Sequence, residues 1–370
     1  MALWTGRDWS GGLPLALAER RVDAHAIRHN IKQIEKRIGS RSIIAMVKAD
    51  GYGHGAIPLC RLLANAGVHR VGVAHVSEAL ALRQSGFAGS IWVLQPDHRL
   101  APQTFLDQNL EATFQGPEDL AAFQESNLAF HVMLDSGMGR EGLSGNDFQQ
   151  LLPQLVLGIE RIRAFATHFA CSDEANPQRT MTQFQTFQNL VAPTLDSLTD
   201  QTRPMLHLAN SGAIVNFPQT FGDAVRPGIL LYGQYQGHGD FDQQPALSLW
   251  APLVQIKKVP AGQPIGYGAT YHTPSETSIG ILNVGYGDGY LRTFPLTRTV
   301  SFEGRTFPVI GRVSMDQITV DLGHQPPPVG SWFEVLSPQQ ISQEAQILGT
   351  ISYERCCQLG LRAQLRWIGA

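Results

Sequence analysis

The sequence predicts an α/β protein: a (β/α)8 barrel followed by a C-terminal, mostly antiparallel β domain. Three observations carry this. Eight strand-like apolar runs recur over the first two thirds of the chain, and helix signals fall between most of them. Beyond Tyr232 the helical periods give way to short strand-like segments spaced by Gly and Pro. Alternating strands and helices mark a parallel sheet covered by helices, whereas spaced strands without helices mark antiparallel structure.

The runs are Ser42–Val47, Arg70–Val76, Ser90–Gln95, Leu110–Phe114, Leu128–Leu134, Arg161–His168, Met205–Leu208 and Ala224–Tyr232. The clearest helix is Asp23–Ile38, where Ile27, Ile31, Ile34 and Ile38 share one face and Asp23 stands at the N-cap. A second runs from Ser77 as N-cap to Gly86 as stop; Pro117–Phe123, Asp147–Leu155 and Arg179–Leu198 complete the series. These elements place a TIM-type barrel over residues 15 to 240. Gly233–Asp242, rich in Gly, Gln and Asp, reads as a linker. Leu253–Val259, Thr277–Val284, Thr299–Phe302, Phe307–Val313, Gln317–Leu322 and Trp332–Leu336 then build the β domain, so the domains are drawn at 1–240 and 241–370.

Composition narrows the function. With 43% apolar and 16% charged residues, the chain has material for two buried cores and lacks the charge density of a disordered one. A net charge of -3, with no run of like charge, offers no field for nucleic acid. Cys60, Cys171, Cys356 and Cys357 show no zinc-like spacing and read as structural thiols, so no metal site is expected. Met1–Gly12 lacks the apolar core of a secretory signal, and no apolar stretch is long enough to span a bilayer. The expected location is the cytoplasm.

The strongest local motif is Met46-Val-Lys-Ala-Asp-Gly-Tyr-Gly-His-Gly55, in which an apolar strand delivers Lys48 to its C-terminal end ahead of a glycine-rich loop. That end of a barrel is its active-site face. A lysine desolvated there has the lowered pKa that lets an amine attack a carbonyl. The alternative is a lysine that snorkels to the rim with its stem packed. Val225-Arg-Pro-Gly-Ile-Leu-Leu-Tyr-Gly233 puts an arginine beside small backbone after the eighth run, and Ala209-Asn-Ser-Gly212 puts a hydroxyl at a helix start after the seventh. Loops at these two places commonly bind phosphate. Together the three segments outline a site for a phosphorylated cofactor that reacts with an amine.

The motifs resemble those of the alanine racemases, a pyridoxal-phosphate family with a barrel and a C-terminal β domain. In order they are Val47-Lys-Ala-Asp-Gly-Tyr-Gly-His-Gly55, Asp135-Ser-Gly-Met-Gly-Arg140, Thr167-His-Phe-Ala170, His207-Leu-Ala-Asn-Ser211, Val225-Arg-Pro-Gly-Ile229, Tyr267-Gly-Ala-Thr-Tyr271, Gly285-Tyr-Gly-Asp-Gly289, Gly311-Arg-Val-Ser-Met-Asp-Gln317 and Tyr353-Glu354. They span nearly the whole chain.

The resemblance implies a division of labour. Lys48 holds pyridoxal 5'-phosphate and serves as the base on the face from which D-alanine loses its α-proton. Tyr267, supplied by the partner of a head-to-tail homodimer, serves the opposite face for L-alanine. Arg226 meets the pyridine nitrogen and keeps it unprotonated, because a guanidinium holds its own proton too tightly to give it up. His168 stands next to this arginine, although a lone strand histidine is often structural. Tyr52, Ser211, the N–H groups of Gly228 and Ile229, and Tyr353 hold the phosphate. Arg140 and the Met315 N–H take the substrate carboxylate, with Asp316 beside them, while Tyr271 and Tyr286 narrow the entrance.

One departure stands out. Many relatives carry a carbamylated lysine two residues before the aspartate of the Asp-Ser-Gly-Met-Gly-Arg segment, and here that residue is Met133. Arg140 therefore needs another partner, a chloride or a nearby carboxylate, unless it manages with water while Met133 simply packs. Some racemases of broader substrate range also lack that lysine, which keeps other amino acids such as serine open as substrates. A decarboxylase of the same architecture is a weaker rival, since such relatives meet the ring nitrogen with an acid. A silent cofactor-binding protein would have no use for Tyr267.

Overall fold

The computed structural model describes residues 17–199, 203–294, 298–359 and 362–369. Met1–Gly12, read above for a targeting signal, lies outside them. The chain divides into two compact units: one holds Arg20–Ser248 and Ser337–Leu359 with the end of the chain, the other is built mainly on Leu249–Leu336.

In the first unit eight parallel strands close into a barrel: β1 (Ser42–Met46), β2 (Arg70–Val73), β3 (Ser90–Val93), β4 (Glu111–Phe114), β5 (Ala129–Met133), β6 (Ile162–Ala166), β7 (Met205–His207) and β8 (Ala224–Val225). Closure falls between β1 and β8, where Ile43 pairs with Val225. Helix α1 (Ala24–Ile38) forms as its sequence predicts, with the Asp23 carboxylate accepting from His25 and Ala26 N–H and Ile27, Ile31, Ile34 and Ile38 buried. Helices α2 (Ala56–Asn65), α3 (Val76–Gln84), α4 (Pro102–Asp107), α5 (Leu120–Glu125), α6 (Gly145–Leu157), α7 (Gln178–Asp196) and α8 (Ser211–Asn216) follow the later strands.

Two expectations are corrected. The second helix is not capped by Ser77, which lies in its first turn; His75 holds the N-cap position, Glu78 reaches back to accept from Ala74 N–H at 2.7 Å and His75 N–H at 3.1 Å, and Asp97 accepts from Val76 N–H at 2.7 Å. The eighth run is strand only at Ala224–Val225: Pro227 has no N–H for the ladder, and the chain turns away, with Leu231 N–H bonded to Gly228 O. The segment read as a linker is anchored at its start, where Gln243 bonds both the N–H and the carbonyl of Tyr235.

In the second unit six antiparallel strands follow one another as neighbours: β12 (Thr277–Leu282), β15 (Ile318–Gly323), β14 (Arg305–Ile310), β13 (Thr299–Phe302), β16 (Trp332–Leu336) and β9 (Leu247–Val259). β9 pairs back onto β12, which closes the ring and leaves no free edge between them. A short pair, β10 (Pro264–Ile265) and β11 (Tyr271–His272), projects Tyr267 at its turn. The sequence reading also missed two helices, α9 (Pro338–Ile347) and α10 (Ser352–Gln358), which belong to the barrel unit. Ser337 and Gln340 form a capping box that announces the first.

Candidate active site

Lys48 leaves β1 at the C-terminal mouth of the barrel, and the chain after it winds the wrong way. Ala49, Asp50 and Gly51 sit at φ 53, 53 and 63° with ψ near 50°, and Tyr52 at φ 53°, a turn of left-handed helix. Such a turn costs about 1–2 kcal/mol for each non-glycine residue, so it must be held from outside. Ala49 N–H donates to the Glu78 carboxylate at 2.6 Å, Asp50 accepts from Ala56 N–H at 2.9 Å, and Gly51 N–H reaches Val47 O at 2.8 Å. Gly53 ends the turn at φ 80°; a Cβ there would fall 2.3 Å from Cys356 O on α10.

This turn lets Lys48 line a cavity of about 450 Å³ together with Met46, Tyr52, Trp92, Met133, Arg140, Glu141, His168, Ser211, Arg226, Gly228, Tyr353 and Cys357. Burial holds the Lys48 ammonium below its ordinary pKa, Arg140 lowers it further, and Glu141 and Glu78 pull the other way. The half-buried lysine is therefore partly desolvated.

Arg226 lies across the barrel mouth after β8, 3% exposed. Its guanidinium donates to Thr167 O at 2.7 Å, Leu208 O at 3.1 Å and His207 O, and to ring nitrogens of His207 at 2.8 Å and His168 at 3.3 Å. Among the described residues no carboxylate pairs with it, and burial lowers its pKa to about 9. Burial and then Arg226 itself lower His168 to about 3, so that ring stays neutral and accepts. An arginine held by neutral acceptors keeps its positive potential for whatever enters the cavity.

Neutral donors gather between these two groups. Ser211 Oγ accepts from Gly228 N–H at 3.0 Å, and a Cβ on Gly228 would fall 2.6 Å from the Tyr52 hydroxyl. The Tyr52 ring packs against Tyr232 at 5.0 Å and Tyr353 at 5.9 Å between centroids. Burial raises the Tyr52 and Tyr353 hydroxyls above their ordinary range, so both stay protonated and can donate. Ile229 follows Gly228 in the same turn and is fully buried. Arg140 is half-exposed and pairs with Glu141 at 2.8 Å; Met133 is buried in the wall.

The barrel cavity thus collects Lys48, Tyr52, Arg140, His168, Ser211, Arg226, Gly228 and Tyr353. A second group forms within the β unit, where Tyr267, Tyr286, Met315 and Asp316 surround a hollow with Arg292. Tyr271 lies apart from it, packed on Ile265, Ile279 and Ile310. Arg362 clamps the second group, bonding Asp288 at 3.0 and 3.1 Å, Asp316 at 2.7 Å and Met315 O at 3.2 Å. Glu78, Glu141 and Arg362 were not foreseen: their partners are set by the fold, and only Glu141, adjacent to Arg140, lay within reach of sequence reasoning.

A closed parallel barrel with a partly desolvated lysine at its mouth, facing a cavity shared with a buried arginine, is an enzyme of the lysine-bearing barrel class. The chain belongs, more narrowly, to the alanine racemase family. Family models described as alanine racemase, N-terminal domain, and alanine racemase, C-terminal domain, match residues 22–236 and 246–367. The chain is 38% identical to the alanine racemase of Desulforamulus reducens over 94% of its length and 98% of that protein's. Among solved structures it is similar to alanine racemase from Streptomyces coelicolor A3(2), with 31% identity, TM-score 0.83 and coverage of 96% and 99%. It is also similar to alanine racemase from Bartonella henselae with covalently bound pyridoxal phosphate, at 26% identity, TM-score 0.82 and coverage of 95% and 100%. Among the described residues no helix is long and apolar enough to cross a membrane, and no metal-binding cluster is gathered.

Proposed function

We propose that the chain is a pyridoxal 5'-phosphate-dependent racemase that interconverts L-alanine and D-alanine as a head-to-tail homodimer. One observation carries this: a single cavity holds a partly desolvated lysine amine, a buried arginine without a carboxylate, and uncharged hydroxyl donors. That donor set fits the cofactor. Lys48 would bind it covalently; Tyr52, Ser211, Gly228, Ile229 and Tyr353 would hold its phosphate; Arg226, steadied by His168, would face its ring nitrogen. When bound, the cofactor supplies an electron-withdrawing ring that makes the α-proton of an amino acid acidic.

The chain's own residues do the rest. Lys48 Nζ moves the proton on one face of the α-carbon, and the Tyr267 hydroxyl of the partner subunit moves it on the other. Arg140 and the Met315 N–H bind the carboxylate, Asp316 supports them, and Tyr286 restricts the side chain, while Tyr271, packed on Ile265, Ile279 and Ile310, underpins the turn that carries Tyr267. Delivery across a two-fold axis is supported by where exposure clusters: Tyr267, 65% exposed, Tyr286, 40%, and Met315, 51%, gather around one open hollow. Four free cysteines suit the reducing cytoplasm in which we place the enzyme.

The test is incubation with pyridoxal phosphate and L-alanine or L-serine in deuterated water, following α-proton exchange and chirality. Fast exchange of alanine toward an equal mixture, with serine slow, supports the proposal. Comparable rates make the enzyme a broad-range racemase. No exchange of either by cofactor-loaded protein refutes it. Tyr267→Phe should keep cofactor binding yet lose racemisation by at least about a hundredfold, as removal of a general acid–base does.

A further inference from the structure

Beneath Arg226 a chain of polar side chains runs through the barrel interior that the proposed reaction does not use. Trp92, His131 and His207 come from β3, β5 and β7, alternate strands whose inward side chains share a layer. The Trp92 ring stacks on His131 at 4.9 Å and 10°, and its N–H is occupied by Thr113 Oγ1 at 2.8 Å. His207 Nδ1 lies 2.8 Å from Arg226; His207 Nε2 lies 2.8 Å from His131 Nδ1; His131 Nε2 lies 2.9 Å from the Glu111 carboxylate.

The ends of this chain dictate where its protons sit. A guanidinium only donates, so His207 Nδ1 must accept and its single proton is on Nε2. That proton points at His131 Nδ1, which must accept in turn, leaving the His131 proton on Nε2. There it meets a carboxylate, which accepts when ionised. His207 is fully buried, and burial with the Arg226 charge keeps it neutral. Burial pushes Glu111 up, but the His131 bond and the nearby charges of Arg70 and Arg163 outweigh it and leave the carboxyl below its ordinary value. All three bonds run in one direction, outward from Arg226.

We propose that Glu111 and His131 are positioning residues, which fix His207 as its Nε2–H tautomer so that a bare Nδ1 always faces Arg226. Without the Glu111 acceptor, the His131 proton is free to move to Nδ1. His207 would then carry its own proton on Nδ1, donor against donor, and the guanidinium would lose its 2.8 Å bond and shift. The consequence for the cofactor rests on the reading of Arg226 given above; the tautomer does not.

The experiment is NMR of cofactor-free protein labelled with ring-15N histidine, with His131→Asn and His207→Asn used for assignment. The expected wild-type spectrum has Nε2 protonated and Nδ1 bare on both rings; a protonated His207 Nδ1 overturns the proposal, and needs no variant to be seen. Glu111→Leu should mix the His207 tautomers, weaken pyridoxal phosphate binding about tenfold, the lower range for partners behind a ligand histidine, and move the absorption band of the bound cofactor. Glu111→Gln keeps an acceptor oxygen and should restore all three. If Glu111→Leu changes only thermal stability, the residue merely packs and the proposal fails. Wild-type protein with the expected tautomers but no affinity for pyridoxal phosphate would instead refute the proposed function.

Discussion

Gly228→Ala offers a measurable test of how tightly the cavity floor is built. The backbone of Gly228 is not in the left-handed region, so alanine is conformationally tolerated and should gain about 0.4–1 kcal/mol by narrowing the unfolded ensemble. Against this, the new Cβ would stand 2.6 Å from the Tyr52 hydroxyl and 3.2 Å from its Cζ. Tyr52 is buried between Tyr232 and Tyr353, so it has little room to yield. Overpacking of this kind costs about 1–3 kcal/mol. The net expectation is a loss of about 1–2 kcal/mol. Tyr52→Phe removes the nearer atom, so the same alanine should become nearly neutral in that background. Urea denaturation of cofactor-free wild type, both single variants and the double variant measures the coupling, expected at about 1 kcal/mol or more. A cycle additive within about 0.5 kcal/mol would refute the contact, and with it the view that the Tyr52 hydroxyl has one fixed place beside the Gly228 backbone.

Four further outcomes follow from the same geometry. In cofactor-free protein, Arg140→Gln should raise the Lys48 pKa and Glu141→Gln should lower it, since one removes a repelling and the other an attracting charge; NMR titration of the 13C-methylated lysine reads both. Asp119 is held at about 2, because bonds from His98, Arg99 and Gln115 N–H outweigh the upward push of burial. Its stabilisation, about 2 kcal/mol, is present above the unfolded value near 4 and is lost as pH falls toward 2, so Asp119→Asn should flatten the urea stability profile across that window. Arg362→Met should raise the KM for alanine severalfold with less than about 1 kcal/mol lost in denaturation, because the clamp is half-exposed. Removing bicarbonate should leave the rate unchanged, since Met133 cannot be carbamylated.

Periodicity delivered the barrel, because its buried parallel strands are mostly apolar, Glu111, His131 and His207 aside, and its helices carry one clear face, as Ile27, Ile31, Ile34 and Ile38 show in α1. The β unit was legible from its Gly and Pro spacing for the same reason. Failures came where tertiary partners replace local ones. Ser77 looks like a cap, yet the helix begins earlier, after His75, where the Glu78 carboxylate takes the Ala74 and His75 N–H groups and the distant Asp97 takes that of Val76. The apolar run after Val225 looks like a strand, yet Pro227 turns it into the floor of the cavity. Local chemistry marked Lys48 and Arg226 as site residues. Glu78, Glu111 and Arg362 reach the candidate site through residues 29, 20 and 46 positions away in sequence, separations no local pattern encodes.

The left-handed turn after Lys48 inverts the usual substitution code for this stretch. In ordinary helix, alanine is the best residue and glycine among the worst. At Ala49 and Asp50 the mirror-image backbone ranks glycine and asparagine first and β-branched residues last. Substitutions that would stiffen a conventional helix, such as Asp50→Ala or Gly51→Ala, should here loosen the lysine's footing, while Ala49→Gly should relax it. The motif around the proposed cofactor lysine is therefore constrained by handedness before it is constrained by chemistry.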